Sequence, residues 1–173
     1  MNLIIKKNGF SLVEVLVTIS IISILLVMAV PSFKSSKINN ALVSEATQIN
    51  SAFSLARNEA YRRNNYVSVC ATTDGNLCNS NDFSKGMIVF SDSQKSGLSD
   101  DSQIIKIYDK WSGSDKGKIT VNDGSSYFTF NGIPEALSAG KVLICYPGYN
   151  SVTLNVNGSG SLKIINNTGD GGC

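Results

Sequence analysis

The sequence predicts an α+β protein in which a long N-terminal α-helix packs on an antiparallel β domain of two sheets. Residues 10–30 are nearly all apolar, and beyond them apolar residues recur every three or four positions as far as Ala60. The second pattern is that of a helix with one buried face. After Tyr66 the chain changes to short β-rich runs separated by turn residues. The predicted helix therefore has a hydrophobic half followed by an amphipathic half.

The apolar run is long enough to be a membrane-spanning helix. It would extend over roughly 30 Å at ~1.5 Å per residue, about the thickness of the hydrocarbon core of a bilayer. We assign residues 10–33 to this hydrophobic transmembrane helix. Pro31 lacks a backbone N–H, so it is expected to kink the helix or to mark its end.

One charged residue interrupts the apolar run. Glu14 is the only charged residue between Lys7 and Lys34. A carboxylate in a lipid-facing helix costs about 2.5–3.5 kcal/mol, so an intramembrane carboxylate is a functional candidate. Burying a charge beside an opposite charge costs much less than burying it alone. We therefore expect Glu14 to be paired.

Residues 34–65 are predicted to continue as an amphipathic helix, with Glu45 and its polar neighbours on the outer face. The segment ends in YRRNN, where basic residues suit the negative end of the helix dipole and Asn suits a left-handed cap. Glu59 and Arg63 have the i,i+4 spacing of an ion pair. The predicted buried stripe consists of Ile38, Leu42, Ala46, Ile49, Phe53, Ala56 and Ala60.

Residues 66–173 are assigned to a β-rich globular domain, which follows the predicted helix. Turn signals such as NDG (122–124) and NGSG (157–160) separate its strands. The predicted strands are 66–71, 86–92, 103–109, 118–121, 126–130, 141–146, 151–156 and 161–165.

The composition argues against an enzyme. The chain has no histidine, the usual general base and the commonest metal ligand. It also has no nucleophile–base motif such as GxSxG or SxxK. A net charge of +2 without a long basic run is unlike a dedicated nucleic-acid binder. We expect no catalytic residues, no cofactor and no metal.

Two other features are candidate ligand sites. The loop 91–103 contains Asp92, Asp100 and Asp101, but their spacing does not match an EF-hand, and a solvated turn is favoured over a Ca²⁺ site. Trp111 is the only tryptophan and is expected to pack in the core or in an interface.

The four cysteines indicate disulfides formed outside the cytoplasm. None lies in a CxxC pair, which disfavours zinc and thioredoxin-like sites. Of the three possible pairings we favour Cys70 with Cys78, which closes a short loop, and Cys145 with Cys173, which ties down the C-terminus.

The order of the N-terminal signals differs from that of an ordinary signal peptide. A short basic leader, residues 1–9, precedes the apolar run, and the only good small-residue cleavage candidate is Gly9. Cleavage there would remove the leader and keep the hydrophobic helix.

This arrangement, GFSLVEVLVTISIISILLVMAVPSF, resembles the leader and N-terminal helix of type IV pilins and type II secretion pseudopilins. The resemblance rests on Gly9 before the cut, Phe10 after it, Glu14 as the fifth mature residue and Pro31 as the twenty-second. It implies that a prepilin peptidase cleaves after Gly9 and methylates the new amine of Phe10. It also implies that Glu14 neutralises the N-terminal amine of a neighbouring subunit when helices 10–33 form a filament core.

The second half resembles the GspH/FimT family, on the segments ARNEAYRRNNYVSVC, KGMIVFSD, FTFNGIP and LICYP. The resemblance implies a pilin fold and a minor pilin of a type IV pilus, of the FimU/FimT type. Such a subunit begins in the bacterial inner membrane with its globular domain in the periplasm, and then joins the pilus at the cell surface. Its partners would be an inner-membrane assembly platform, the major pilin and other minor pilins, which it would link near the tip.

Two alternatives remain open. One is the H-type minor pseudopilin of a type II secretion system. The other is a DNA-binding minor pilin for transformation, because some family members bind DNA through a Gly-Arg-x-Arg turn. The corresponding residues here are Gly160, Ser161, Leu162 and Lys163, which leave one cation where two are expected.

Overall fold

The computed structural model describes residues 9–94, 103–113, 116–121, 127–133, 139–158 and 161–167, without the side chains of residues 28–32. These ranges form a helix α1 (Leu12–Arg63) and a short 3₁₀ turn (Phe83–Lys85). The strands are β1 (Val67–Ala71), β2 (Met87–Ser91), β3 (Ile104–Tyr108), β4 (Lys118–Val121), β5 (Tyr127–Phe130), β6 (Gly140–Cys145), β7 (Ser151–Val156) and β8 (Leu162–Asn167). The α+β prediction and all eight predicted strands are confirmed, with small shifts at the strand ends.

By its internal contacts the chain divides into two units, Met1–Lys37 and Ile38–Cys173. The first unit contains the N-terminal part of α1, and the second contains the rest of α1 and both sheets. Helix α1 does not end at Pro31, because it is assigned without interruption from Leu12 to Arg63. The kink at Pro31 stays a prediction.

In the second unit the predicted stripe of α1 is the face that packs on the β domain. Seven residues on this face of α1 are almost fully buried: Leu42, Ala46, Ile49, Ala52, Phe53, Ala56 and Ala60. The ring of Phe53 lies at the centre of this packing, 4.9 Å from the ring centroid of Phe128 and 5.7 Å from that of Phe130. Such aromatic pairs add to the burial of apolar area, so the middle of the stripe is a main anchor of the helix.

The prediction that Glu45 lies on the outer face of the helix was wrong, because this residue is only 5% exposed. Residue 45 comes three positions after Leu42 and four before Ile49, and side chains at these spacings lie on one side of a helix. The buried face is therefore wider than the apolar stripe and includes an acidic residue.

The end of α1 matches the prediction of a left-handed Asn cap. Asn64 has a φ of 48°, its N–H donates to the Tyr61 carbonyl, and the N–H of Asn65 donates to the Ala60 carbonyl. These two bonds form a Schellman motif with Asn in the position usually taken by Gly. The predicted Glu59–Arg63 ion pair is present at 2.7 Å, and Arg62 contacts the same Glu59 oxygen at 2.7 Å.

Both sheets have four antiparallel strands, in the order β3-β2-β1-β5 in the first and β4-β6-β7-β8 in the second. In the first sheet Val67, Val69 and Ala71 of β1 belong to the main core with α1. The alternate residue Cys70 faces the other side with Ile88 and Phe90 and forms a smaller cluster. The first sheet is therefore covered on both faces.

The two sheets share the main core with α1, which contains Phe128 of the first sheet and Ile144 and Leu154 of the second. Hydrogen bonds to one carboxylate also join the two sheets. Asp82 Oδ1 accepts from the N–H of Ser84 at 3.0 Å and from the N–H of Ile119 at 3.2 Å. One carboxylate thus caps the 3₁₀ turn beside β2 and holds β4 of the second sheet.

Candidate functional site

The predicted cleavage position lies just before α1, in the first unit. Gly9, Phe10 and Ser11 are exposed and non-helical, and Phe10 is 77% exposed. A methyl group placed on Gly9 would meet no atom within 4 Å. A peptidase needs an accessible peptide outside regular secondary structure, and the Gly9–Phe10 bond has both properties.

Glu14 lies in the first turn of α1, where its side chain is exposed. The first helical hydrogen bond runs from the Val15 N–H to the Ser11 carbonyl at 3.2 Å, so Ser11 is the N-cap residue. Ser11 and Glu14 have the S-x-x-E spacing of a capping box, and a carboxylate is favourable at the positive end of a helix dipole. Ser11 was missed in the sequence analysis, although this four-residue spacing is visible there.

The helix surface after Glu14 is apolar on all sides. Every large apolar side chain from Phe10 to Val27 is between 48% and 77% exposed. The hydroxyls among them are satisfied by the helix itself: Thr18 donates to the Val15 carbonyl, Ser20 to Leu16 and Ser23 to Ile19, at 2.7–2.8 Å. A contiguous apolar surface of this kind is covered by lipid or by other protein chains.

In the part of the chain that the structure describes, no helix reaches the length and apolar character that crossing a membrane would require.

The predicted disulfide between Cys70 and Cys78 is confirmed, with Cα atoms 5.6 Å apart. It closes a loop organised by Asp74, whose pKa is lowered by hydrogen bonds from the N–H groups of Leu77 and Asn76. Cys145 is also disulfide-bonded. Cys173 lies outside the described residues, so its pairing with Cys145 stays a prediction.

Lys163 lies on β8, at one edge of the second sheet, and is exposed. In the strand register Lys163 is opposite Asn155, which is opposite Lys141. Directly paired residues point to the same face, so the two lysines stand in one row, about 10 Å apart across two strand spacings. Lys141 was not a predicted site residue, because its alignment with Lys163 depends on the pairing of β6, β7 and β8. Gly160 lies outside the described residues.

The acidic loop is only partly described, because Asp100 and Asp101 lie outside the described residues. Asp92 is buried, so the solvated-turn prediction was wrong for this residue. Its Oδ2 accepts from the Ser68 hydroxyl at 2.8 Å, and that hydroxyl also contacts Thr129 Oγ1 at 2.7 Å. This network ties together three strands of the first sheet. No group of three or more His, Cys, Asp or Glu residues suited to a metal was found among the described residues.

Trp111 follows β3 and is buried in the main core, as its predicted packing role requires. Its backbone N–H donates to the Ser84 carbonyl at 2.9 Å, and its ring meets Tyr146 edge-on at 6.5 Å between centroids. Gly113 and Gly117 lie so close to the ring that a Cβ at either would come within 2.7 Å of it. Gly113 and Gly117 therefore lie directly against the indole ring.

Comparison with known proteins gave two family matches. The model of the type II transport protein GspH matches residues 45–160, and that of the prokaryotic N-terminal methylation motif matches residues 5–30. The comparison with curated protein sequences found no match.

Among solved structures the fold is similar to that of the type IV minor pilin FimU of Pseudomonas aeruginosa. In its P2₁ crystal form the identity is 20% and the TM-score 0.60, over 73% of this chain and 90% of FimU. In its P6₅ crystal form the identity is 18% and the TM-score 0.57, over 72% of this chain and 92% of FimU. These likenesses confirm the predicted pilin fold.

The two family matches cover separate parts of the chain, the methylation motif residues 5–30 and the GspH model residues 45–160. The methylation motif covers the predicted cleavage position, Glu14 and most of the apolar helix surface. The GspH model covers more than half of the 173 residues and includes most of the buried helix face and most of both sheets. The chain therefore belongs to the GspH family of minor pilins and pseudopilins and carries their N-terminal methylation motif.

Proposed function

We propose that this protein is a minor pilin, a structural subunit of a type IV pilus that lies near the filament tip and links other minor pilins to the major pilin. The observation that carries the proposal is the N-terminal motif, followed by a helix whose apolar side chains are exposed on every side. The likeness to the minor pilin FimU supports a pilus over a secretion filament.

Processing at the N-terminus is the first step of the proposal. A prepilin peptidase cleaves the exposed bond between Gly9 and Phe10 and methylates the amine of Phe10. The helix, residues 10–33, remains in the inner membrane as a single span with the globular domain in the periplasm. The hydroxyls of Thr18, Ser20 and Ser23 suit that environment, because they already donate to backbone carbonyls.

Assembly is the second step. The inner-membrane platform moves the helix from lipid into the filament core, where neighbouring helices cover its apolar surface. Glu14 of one subunit then pairs with the Phe10 amine of another. Because the pair costs less to bury than either charge alone, the pairing selects one axial position for the incoming subunit. The role inferred for the protein is thus structural and not catalytic.

The first experiment is an affinity isolation of the tagged full chain from crosslinked cell envelopes, with partners and the mature N-terminus identified by mass spectrometry. The proposal predicts N-methylated Phe10 together with a major pilin and other minor pilins. Recovery of pseudopilins and secretion platform proteins would instead make the chain an H-type pseudopilin, the alternative that the GspH match favours. An N-terminus beyond Val30 would contradict both filament roles.

A second candidate function, DNA binding during transformation, is favoured by the row of Lys141 and Lys163 on the second sheet. Two lysines contact phosphates without reading sequence, so binding would weaken with salt with a slope near −0.9 per contact. The test is a titration of the detergent-solubilised full chain with duplex DNA at low salt. Lys141→Ala and Lys163→Ala should each weaken binding, while Lys106→Ala on the first sheet should not. Binding insensitive to Lys163→Ala would remove this function.

A further inference from the structure

An open groove of about 400 Å³ lies in the second unit, between α1 and the end of β3 with the residues that follow it. Helix α1 contributes Ser44, Glu45 and Gln48 to its lining. The other wall is formed by Tyr108, Asp109, Lys110 and Trp111. The family match and the proposed pairing of Glu14 leave this groove without a role.

The chemical feature of the groove is Glu45. Its side chain is almost completely buried, yet its Oε1 atom has no hydrogen-bond partner among the described residues. A buried carboxylate oxygen without a partner is costly, and such an atom is usually paired in the functional state of a protein.

The charged groups near Glu45 do not provide the missing partner of its Oε1 atom. Among the described lining residues the charged groups are Glu45, Asp109 and Lys110, and the other titratable group is the Tyr108 phenol. Asp109 and Lys110 are both exposed, so their charges face solvent at the groove mouth. The charges of Asp109 and Lys110 offset each other, so an ionised Glu45 leaves the lining net negative, which favours a cationic occupant.

The aromatic wall narrows the chemistry of that occupant. Trp111 packs against Gly113, Gly117 and Tyr146. Tyr108 also lines the groove, and its ring already attracts a cation, since Lys106 Nζ lies 4.8 Å from its centroid. Aromatic faces attract cations, and a guanidinium group stacks on them while forming hydrogen bonds to a carboxylate. An ammonium group is more strongly hydrated and gains less from the same wall.

We propose that this groove is a docking site for an arginine side chain of a second protein, whose guanidinium group pairs with Glu45 and packs on Trp111 and Tyr108. The partner inserts from the solvent side, past Asp109 and Lys110. The inference concerns a contact of the globular unit, so it holds for a pilus or for a secretion filament.

Trp111 provides the readout, since it is the only tryptophan of the chain and lines the groove. The detergent-solubilised full chain is titrated with a triarginine amide at constant ionic strength and pH 8, while the tryptophan fluorescence is recorded. We expect a saturable change with triarginine, a weaker one with trilysine, and a Kd at least tenfold higher for Glu45→Gln. Glu59→Gln, which removes an acid from the same helix outside the groove, should leave the Kd unchanged. Equal Kd values for wild type and Glu45→Gln would overturn the proposal.

The pH dependence gives a second measurement that needs no Glu45 variant. Only the carboxylate form of Glu45 attracts a cation, so triarginine should bind wild type at least tenfold more weakly at pH 5.5 than at pH 8. Asp109→Asn should keep this dependence. Affinity that does not change with pH would overturn the proposal, even if Glu45→Gln failed to fold.

Lys110 is a cation among the lining residues of the groove, and it supplies a test of the occupant. If the site is open to a second protein, Lys110→Met should change the triarginine Kd by less than threefold. A Kd more than tenfold lower in Lys110→Met would mean that Lys110 itself occupies the groove, and this result would also overturn the proposal.

Discussion

The burial of Glu45 links the stability of the globular unit to pH. Burial raises the pKa of this carboxyl from its ordinary 4.5 to about 7. Between these values the unfolded chain is ionised while the folded chain holds the proton, so stability is highest below pH 4.5 and falls as the pH rises towards 7. We expect Glu45→Gln to be more stable than wild type by ~1–3 kcal/mol at pH 8, and equal to it at pH 4. Urea unfolding at the two pH values measures the difference.

Glu59 is the matched control, because its linkage has the opposite sign. Hydrogen bonds from Arg62 and then Arg63 lower the pKa of Glu59 to about 2. The stability it contributes is therefore present above pH 4.5 and is lost as the pH falls through 2. Glu59→Gln should be slightly less stable than wild type at pH 8, and the difference should vanish near pH 2. A Glu45→Gln profile parallel to that of wild type would contradict the assigned burial.

At the residue scale, the sequence predicted the groups whose roles depend on local spacing. Asn64 as the helix cap and the pairing of Glu59 with Arg63 could be found from neighbouring positions alone. The burial of Glu45 could not, because the search for a stripe followed apolar residues only. Whether a polar residue beside the stripe is covered depends on how far β3 and the following loop extend over the helix.

At the scale of elements, Gly132 controls how closely the segment after β5 approaches the end of α1. A Cβ on Gly132 would lie 3.0 Å from Asn64 Cα and 3.2 Å from the Ala60 carbonyl oxygen, both backbone atoms of the helix cap. Gly132→Ala must therefore displace the cap and should destabilise the protein by about 1–3 kcal/mol in urea unfolding. Gly158→Ala has no atom within 4 Å of its Cβ and should be close to neutral. Equal effects of the two substitutions would contradict this packing role.

The disulfide between Cys70 and Cys78 is a second constraint on an element, the loop that follows β1. The two cysteines are 8 positions apart in the sequence, so the disulfide closes a short loop. For a loop of this length the chain-entropy model predicts that the disulfide stabilises the folded protein by about 2–3 kcal/mol. The double variant Cys70→Ala, Cys78→Ala should lose about this amount in urea unfolding. Leu77→Ala changes an exposed residue of the same loop and should cost less than about 0.5 kcal/mol. A double variant as stable as wild type would mean that the hydrogen bonds of Asp74 hold the loop alone.

At the scale of the whole molecule, the sequence predicted the number of strands but not their order. Each strand could be found from its own β-rich run and flanking turns. The pairing of β5 with β1 could not, because it joins residues far apart in the sequence, such as Val69 and Phe128. For the same reason the sequence did not predict Lys141 as a possible DNA contact. It lies in one row with Lys163 only because β6, β7 and β8 are neighbours in the second sheet.

The proposed assembly can be tested at this scale with Glu14→Gln, which removes the charge but keeps the shape of the first helical turn. Breaking a buried ion pair by removing one partner costs about 3–5 kcal/mol, and each 1.4 kcal/mol is a factor of about ten. We expect processing after Gly9 to continue, while incorporation into sheared filaments, measured by quantitative immunoblot, falls at least tenfold and processed protein accumulates in the inner membrane. Glu59→Gln, an acid elsewhere on α1, should assemble normally. Normal incorporation of Glu14→Gln would show that the Phe10 amine finds its neutralising partner elsewhere.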